Sequence, residues 1–231
     1  MKGFDKYSIN HQLLLALPCI EMTGTLVHGI EKAHHELTLM GTPPTWHSLP
    51  SRFPYIAYDG IADYLECPAA DSADLNFTSE DFTLIAWVYN VGPGGSDMVM
   101  CQNVVDGCGW EFYVADTAYG GTLALRTNQA GSRTSISALG AFISSTWVLI
   151  GVTREGATGQ FYVQGQPVDT VGELLDPVSC AGAQPLRIGC RGGILGNLWA
   201  GNIAFPRIWD RKLSESGFEQ IFEVERHWFG L

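Results

Sequence analysis

The sequence predicts an all-β protein, an antiparallel β-sandwich of jelly-roll type with one short helix near its C-terminus. Three observations carry this: about a dozen short β-branched and aromatic runs, turns of Gly, Pro and Asn between them, and no helical pattern alternating with the strands. The composition agrees, since 46% apolar residues supply a large core, 16% charged residues argue against disorder, and 27 glycines in 231 residues suit a turn-rich chain.

Taken in order, residues 13–17 open as a strand, and Thr42-Pro43-Pro44-Thr45 and Leu49-Pro50 break the first fifty residues into that strand, a second at 36–40 and wrapping loops. Residues 55–58 and 63–67 follow as strands. The run 81–90 (DFTLIAWVYN) is apolar on both faces, which suits a central strand covered on both sides, and 147–153 (WVLIGVT) has the same character. Between these two lie strands at 97–103, 110–115, 122–127 and 133–138. The turn 155–159 (EGATG), the strand 160–163, Gln164-Gly165 and the strand 166–171 form two hairpins, with glycine where φ must be positive. Strands at 186–190 and 199–209 complete the set. A helix then starts at Ser214 or Ser216; Ser216 and Glu219 have the spacing of a capping box, and Phe218, Ile221 and Phe222 share one stripe. With no linker, repeat or low-complexity stretch, a single domain over residues 1–231 is expected.

Charge excludes whole classes of function. Thirteen Lys+Arg against 24 Asp+Glu leave a net charge of −11, which repels phosphate backbones and anionic lipid, so neither nucleic acid nor membrane is an expected partner. The strongest apolar run near the start, 13–20, contains Pro18 and is too short to span a bilayer. It also lacks a secretion-signal pattern. The six cysteines, Cys19, Cys67, Cys101, Cys108, Cys180 and Cys190, are accordingly expected to be free buried thiols; their spacing does not match a zinc knuckle.

Three segments in order, 56–68 (IAYDGIADYLECP), 81–88 (DFTLIAWV) and 201–214 (GNIAFPRIWDRKLS), resemble the laminin-G-like, concanavalin-A-like jelly-roll family. Between the second and third, the Trp147 strand, the Gly165-Gln166 hairpin and Leu186-Arg187-Ile188-Gly189 resemble further strands of that family. The opening Leu-rich strand, the histidines before Leu37, the 73–78 approach (ADLNFT) and the 222–230 ending (FEVERHWFG) look like the single-domain type found among phage and prophage structural genes. That resemblance implies a non-catalytic recognition or structural module on a virion surface, as a capsid decoration or tail-associated protein. It would be made in the host cytoplasm, and its partners would be other virion proteins or copies of itself in a homo-oligomer. The alternatives are a carbohydrate-binding, lectin-like protein of a bacterial cell and a divergent glycoside hydrolase.

Family members often hold calcium at the sandwich rim, which makes Asp59 and Asp63 candidate ligands. Where the family carries paired acids in its closing strand, however, this chain has Ala204 and Phe205, so no cofactor is expected beyond that possible calcium. A retaining glycosidase needs two carboxylates roughly 5 Å apart. The nearest pair in a strand context, Glu111 and Asp116, is five residues apart and falls on opposite faces. No Gly-x-Ser-x-Gly, His-Glu-x-x-His or P-loop occurs, and the glycine cluster 189–196 leads to another strand. His28, His34, His35 and His47 with Glu36 are metal ligands by type, but adjacent His34 and His35 point apart in a strand. Aromatic rings remain as the handle for a ligand. Trp87, Trp147 and Trp209 lie in apolar runs and are expected in the core, while Trp46, Trp110, Tyr119, Trp199 and Trp228 are candidates for a binding rim.

Overall fold

A computed structural model describes residues 8–91, 96–115, 121–138, 140–193 and 195–231. In chain order its strands are β1 (Leu13–Ala16), β2 (Leu26–His28), β3 (Glu36–Met40), β4 (Thr45–Ser48), β5 (Pro54–Asp59), β6 (Tyr64–Cys67), β7 (Phe82–Asn90), β8 (Ser96–Val104) and β9 (Cys108–Ala115). They continue with β10 (Thr122–Gln129), β11 (Gly131–Ser137), β12 (Val148–Glu155), β13 (Thr158–Val163), β14 (Gln166–Val168), β15 (Thr170–Val171), β16 (Leu186–Ile188) and β17 (Ala200–Trp209). One α-helix, α1 (Glu215–Glu225), follows.

The strands form two antiparallel sheets facing each other as a sandwich. One runs β14-β13-β12-β7-β17-β5-β4, with β1 also paired to β17; the other runs β15-β11-β10-β9-β8-β16-β6-β3-β2. Period-two alternation sorts the side chains between layers. In β7, Phe82, Leu84, Ala86 and Val88 enter the core between the sheets, whereas Ile85 and Trp87 face outward into a second apolar layer. That outer layer exists because α1 lies on the sheet, with Phe218 and Ile221 buried against it. The side chain of Phe218 occupies the bare spot over Gly151, where an added Cβ would stand 2.4 Å from its ring. Burying each such ring contributes about 1.5–3 kcal/mol.

Several expectations are revised. The predicted strand 166–171 splits at Asp169: β14 stays with β13, while β15 crosses to pair with β11 in the opposite sheet. The residues read as wrapping loops contain β2 and the edge strand β4. The helix is capped by Ser214, whose hydroxyl accepts from the Gly217 N–H at 3.2 Å, so Ser216 sits inside the helix. Cys108 and Cys180 form a disulfide, with Cα atoms 5.4 Å apart; Cys19, Cys67, Cys101 and Cys190 are free and buried. The disulfide was missed because its partners are 72 residues apart and meet only when the 172–185 connection crosses the start of β9 and the end of β10.

β17 carries the irregularity that positions the outer layer. Its register against β7 shifts between Ala204 and Arg207, and Phe205 there has φ 46°. One inserted residue reverses the alternation, so that Arg207 and Trp209 face α1 while Ile208 enters the core.

Candidate binding surface

Helix α1 and the turn Arg226–Phe229 cover only part of the outer face of the eight-stranded sheet. Beyond their edge, alternation places Tyr55 of β5 and, opposite it in register, His47 of β4 on the same face. Tyr89 lies two residues past the buried Trp87, and Trp147 comes immediately before β12. The four rings form a connected aromatic surface. His47 stacks on Tyr55 at 5.4 Å, Tyr55 meets Trp147 edge-on at 5.3 Å, and Tyr89 lies 5.9 Å from Trp147. His47 is exposed and the other three are half-buried, so parts of their rings face solvent. The half-buried Asn202 lies opposite Tyr89 in register and adds an amide to this surface. From below, Phe229 braces Trp147 at 5.0 Å. Fixed aromatic faces beside a polar group can stack on the apolar face of a sugar ring or pack against a protein side chain.

Sequence reasoning placed Trp147 in the core and so missed this surface; among the described residues, only the half-buried Trp228 of its rim candidates lies nearby, stacked on Phe53 at 4.6 Å. Trp110 and Trp199 are fully buried, which corrects their placement on a binding rim. The indole N–H of Trp110 donates to the Leu75 carbonyl at 3.0 Å, tying the inter-sheet core to the turn Ala73–Leu75. Trp46 is half-buried, packs toward the inter-sheet core and donates to the Gly24 carbonyl at 2.9 Å. Tyr119 lies outside the described residues.

Asp59 and Asp63 stand together at the end of β5, but their oxygens are engaged by the chain itself. Asp59 Oδ1 accepts the Ile61 and Ala62 N–H groups at 2.7 and 3.0 Å. Asp63 accepts the Asp59 N–H at 3.2 Å and the Thr42 hydroxyl at 2.7 Å. Partial burial acts to raise the Asp59 pKa, and the Ile61 and Ala62 donors outweigh it and lower it. This is a carboxylate-stapled turn. No third acid joins it, and no group of three or more His, Cys, Asp or Glu positioned for a metal occurs among the described residues. Calcium takes six to eight oxygens, and this donor set does not fit it.

The histidines are also dispersed. His28 bridges Glu21 and Glu36 at 3.1 and 3.2 Å, and His34 contacts the Gly29 carbonyl at 3.2 Å. His35 is buried between Glu31 and Asp74 at 2.8 and 2.9 Å.

The outer face of the nine-stranded sheet carries the charges. One continuous row of register partners crosses it: Thr134, Arg126, Glu111, Cys101, Arg187, Glu66 and Thr38. Within this row Glu111 is fully buried. Arg191 donates to its Oε2 through Nε and Nη2 at 3.1 and 3.0 Å, while Asn103 and Asn128 donate to Oε1 at 2.7 and 3.3 Å. Glu66, the other acid of the row, lies three strand spacings away, roughly 14 Å. A carboxylate held by four donors and distant from a second acid is built as a structural anchor. Asp116 lies outside the described residues.

Among the described residues no helix is long and apolar enough to cross a membrane. A family model described as the concanavalin A-like lectin/glucanases superfamily matches residues 59–217. Among solved structures, the binding domain of Paraclostridial Mosquitocidal Protein 1 is similar with TM-score 0.71 and 17% identity, over 94% of this chain and 53% of that one. The receptor binding domain of botulinum neurotoxin D gives TM-score 0.70 and 13% identity, over 94% and 54% of the two chains. The binding domain of botulinum neurotoxin DC in complex with rat synaptotagmin II gives 0.67 and 14%, over 94% and 52%. At such identities the likeness is one of fold, and the chain spans about half the length of these structures. No curated protein sequence matches it.

Proposed function

The chain belongs to the concanavalin A-like lectin/glucanases superfamily, and within it we propose that this protein is a non-catalytic recognition module. The observation that carries this is the aromatic surface of His47, Tyr55, Tyr89 and Trp147, which is half-exposed, rigidly braced and next to an amide. Contact through these rings requires no covalent chemistry and no metal. The buried, fully engaged Glu111 supports the absence of glycosidase activity. The names of the similar structures, binding domains of toxins, support recognition as the role this fold plays here.

The setting we infer is a virion surface, as a capsid decoration or tail-associated protein that meets other virion proteins or copies of itself. Its support is the motif resemblance in the 73–78 and 222–230 segments. A lectin-like protein of a bacterial cell uses the same rings on a glycan. The two settings separate in one pair of measurements. Sedimentation showing a defined oligomer, with silence on an array of bacterial polysaccharides, supports the virion reading. A monomer that retains array binding in chelator supports the lectin. Hydrolysis of β-glucan that is abolished by Glu111→Gln overturns the non-catalytic reading.

A further inference from the structure

The two sheets end in four edge strands, and three of these are blunted against further pairing. β14 carries Pro167, β15 is two residues long, and β2 is three residues long with His28 bridged to Glu21 and Glu36. The fourth, β4, has neither proline nor charge within it, and its Thr45, His47 and Ser48 are exposed.

The register of β4 on β5 decides which backbone groups face outward. Their hairpin closes with the Leu49 N–H donating to the Phe53 carbonyl at 2.8 Å, so these two residues form a hydrogen-bonded pair. Alternation along an antiparallel ladder then makes His47 with Tyr55, and Thr45 with Ala57, hydrogen-bonded pairs as well. Trp46 and Ser48 fall at the positions between, Ser48 opposite Pro54, which has no N–H to give. Their N–H and C=O groups therefore point away from β5, and none of them has a backbone partner among the described residues. The next outward positions are Pro44 and Pro50, so the row of donors stops at these two residues.

This short edge is complementary to itself. A two-fold axis through His47 brings Trp46 of each copy opposite Ser48 of the other, giving two pairs that exchange both their N–H···O=C bonds. A longer foreign strand would gain no donor beyond Trp46 and Ser48, whereas a second β4 ends at the same prolines. Residues 41–51 contain no Asp, Glu, Lys or Arg, so two chains of net charge −11 can approach through a segment that carries none of it.

We propose that the chain forms a two-fold dimer by pairing β4 with β4 of a second copy, which makes one continuous sheet of the two eight-stranded sheets. His47 lies on the axis, so the aromatic surfaces of the two copies meet there and act as one bivalent face. The proposal rests on the self-association inferred above and is independent of what the rings recognise.

Sedimentation equilibrium of the full chain should give a mass near twice 25.2 kDa. Ser48→Pro deletes one outward N–H from each copy and none from the β5 ladder, and should raise the dimer dissociation constant roughly tenfold or more. Ser48→Ala keeps that N–H and should leave the dimer intact. Crosslinking reads the register directly and decides the matter if Ser48→Pro also lowers the melting temperature. His47→Cys should link two copies when an oxidant is added, because partners at a non-hydrogen-bonded position lie about 4.5 Å apart at Cα, within disulfide reach. Thr45→Cys, two residues from the axis, should not. A dimer that His47→Cys fails to link overturns the edge pairing and leaves self-association standing; a monomer at every concentration overturns both.

Discussion

Glu225 of helix α1 grips Arg207 of β17 through both guanidinium Nη atoms, at 2.6 and 2.8 Å, on the face where the Trp87 indole also donates to Glu225 at 2.8 Å. Two groups from two strands thus share the one buried carboxylate that the helix supplies, and the helix is fixed in position as well as in contact. Removing the charge leaves Arg207 buried without its partner, a loss of roughly 3–5 kcal/mol. Glu225→Gln should lower the unfolding free energy by about that amount. It should also increase amide exchange in α1 before the sheets. A change within ~0.5 kcal/mol, the scale of ordinary surface substitutions, would show that packing of Phe218 and Ile221 alone holds the helix.

His35 gives stability a dependence on alkaline pH. Burial opposes its protonation, but hydrogen bonds to Asp74 and Glu31 outweigh burial and raise its pKa from 6.5 to about 9. A raised folded-state pKa means that the contribution is fully present below about 6.5 and is lost as pH rises through about 9. The loss amounts to roughly 3 kcal/mol. Melting temperature should therefore fall between neutral pH and pH about 9, and His35→Gln should flatten that slope. An unchanged slope in the variant would assign the alkaline loss to other groups.

The Cys108–Cys180 disulfide ties the start of β9 to the 172–185 connection, whose Val178 bridges Asn128 and Gly109 through backbone hydrogen bonds of 3.0 and 2.9 Å. Denatured without reductant, the chain should yield four reactive thiols, Cys19, Cys67, Cys101 and Cys190, and six after reduction. In the folded protein those four should label slowly, because burial raises each thiol pKa. Replacing Cys108 and Cys180 by serine should cost about 2–5 kcal/mol. Six thiols before reduction would mean that the bond does not form.

Legibility in the sequence followed the physical range of each signal. The alternation of Phe82–Asn90 and the turn glycines act locally, and both were readable. The split at Asp169 was not, since β14 and β15 have the same local preferences and differ only in the sheet they join. Edge strand β4 was obscured by its mostly exposed side chains, which leave no apolar pattern. The aromatic surface was hidden for a different reason. Alternation assigns Trp147 and Trp87 to a face but cannot tell where helix α1 ends its cover. Trp87 lies beneath that cover, 3.9 Å from Phe229, and Trp147 lies at its edge. Trp110 and Trp199 were misplaced because each stands first in its run, 110–115 and 199–209, where no preceding alternation reveals which side meets the second sheet.

The same geometry distinguishes two surfaces. If recognition used the charged row of the nine-stranded sheet, Arg187→Ala would remove its ion pair with Glu66, at 2.8 Å, and reduce binding. Because Arg187 and Glu66 are committed to each other and largely buried, Arg187→Ala is expected to leave partner affinity within about twofold while lowering stability by about 1–3 kcal/mol.

The most direct measurement compares Tyr55→Ala with Arg187→Ala for binding to the polysaccharide or virion preparation that the unmodified protein retains. Contact through the aromatic surface is expected to make Tyr55→Ala bind roughly tenfold more weakly, a loss of about 1–2 kcal/mol, with Arg187→Ala near the unmodified value. Unchanged binding by Tyr55→Ala, with the loss falling on Arg187→Ala, would contradict it and place recognition on the opposite face of the sandwich.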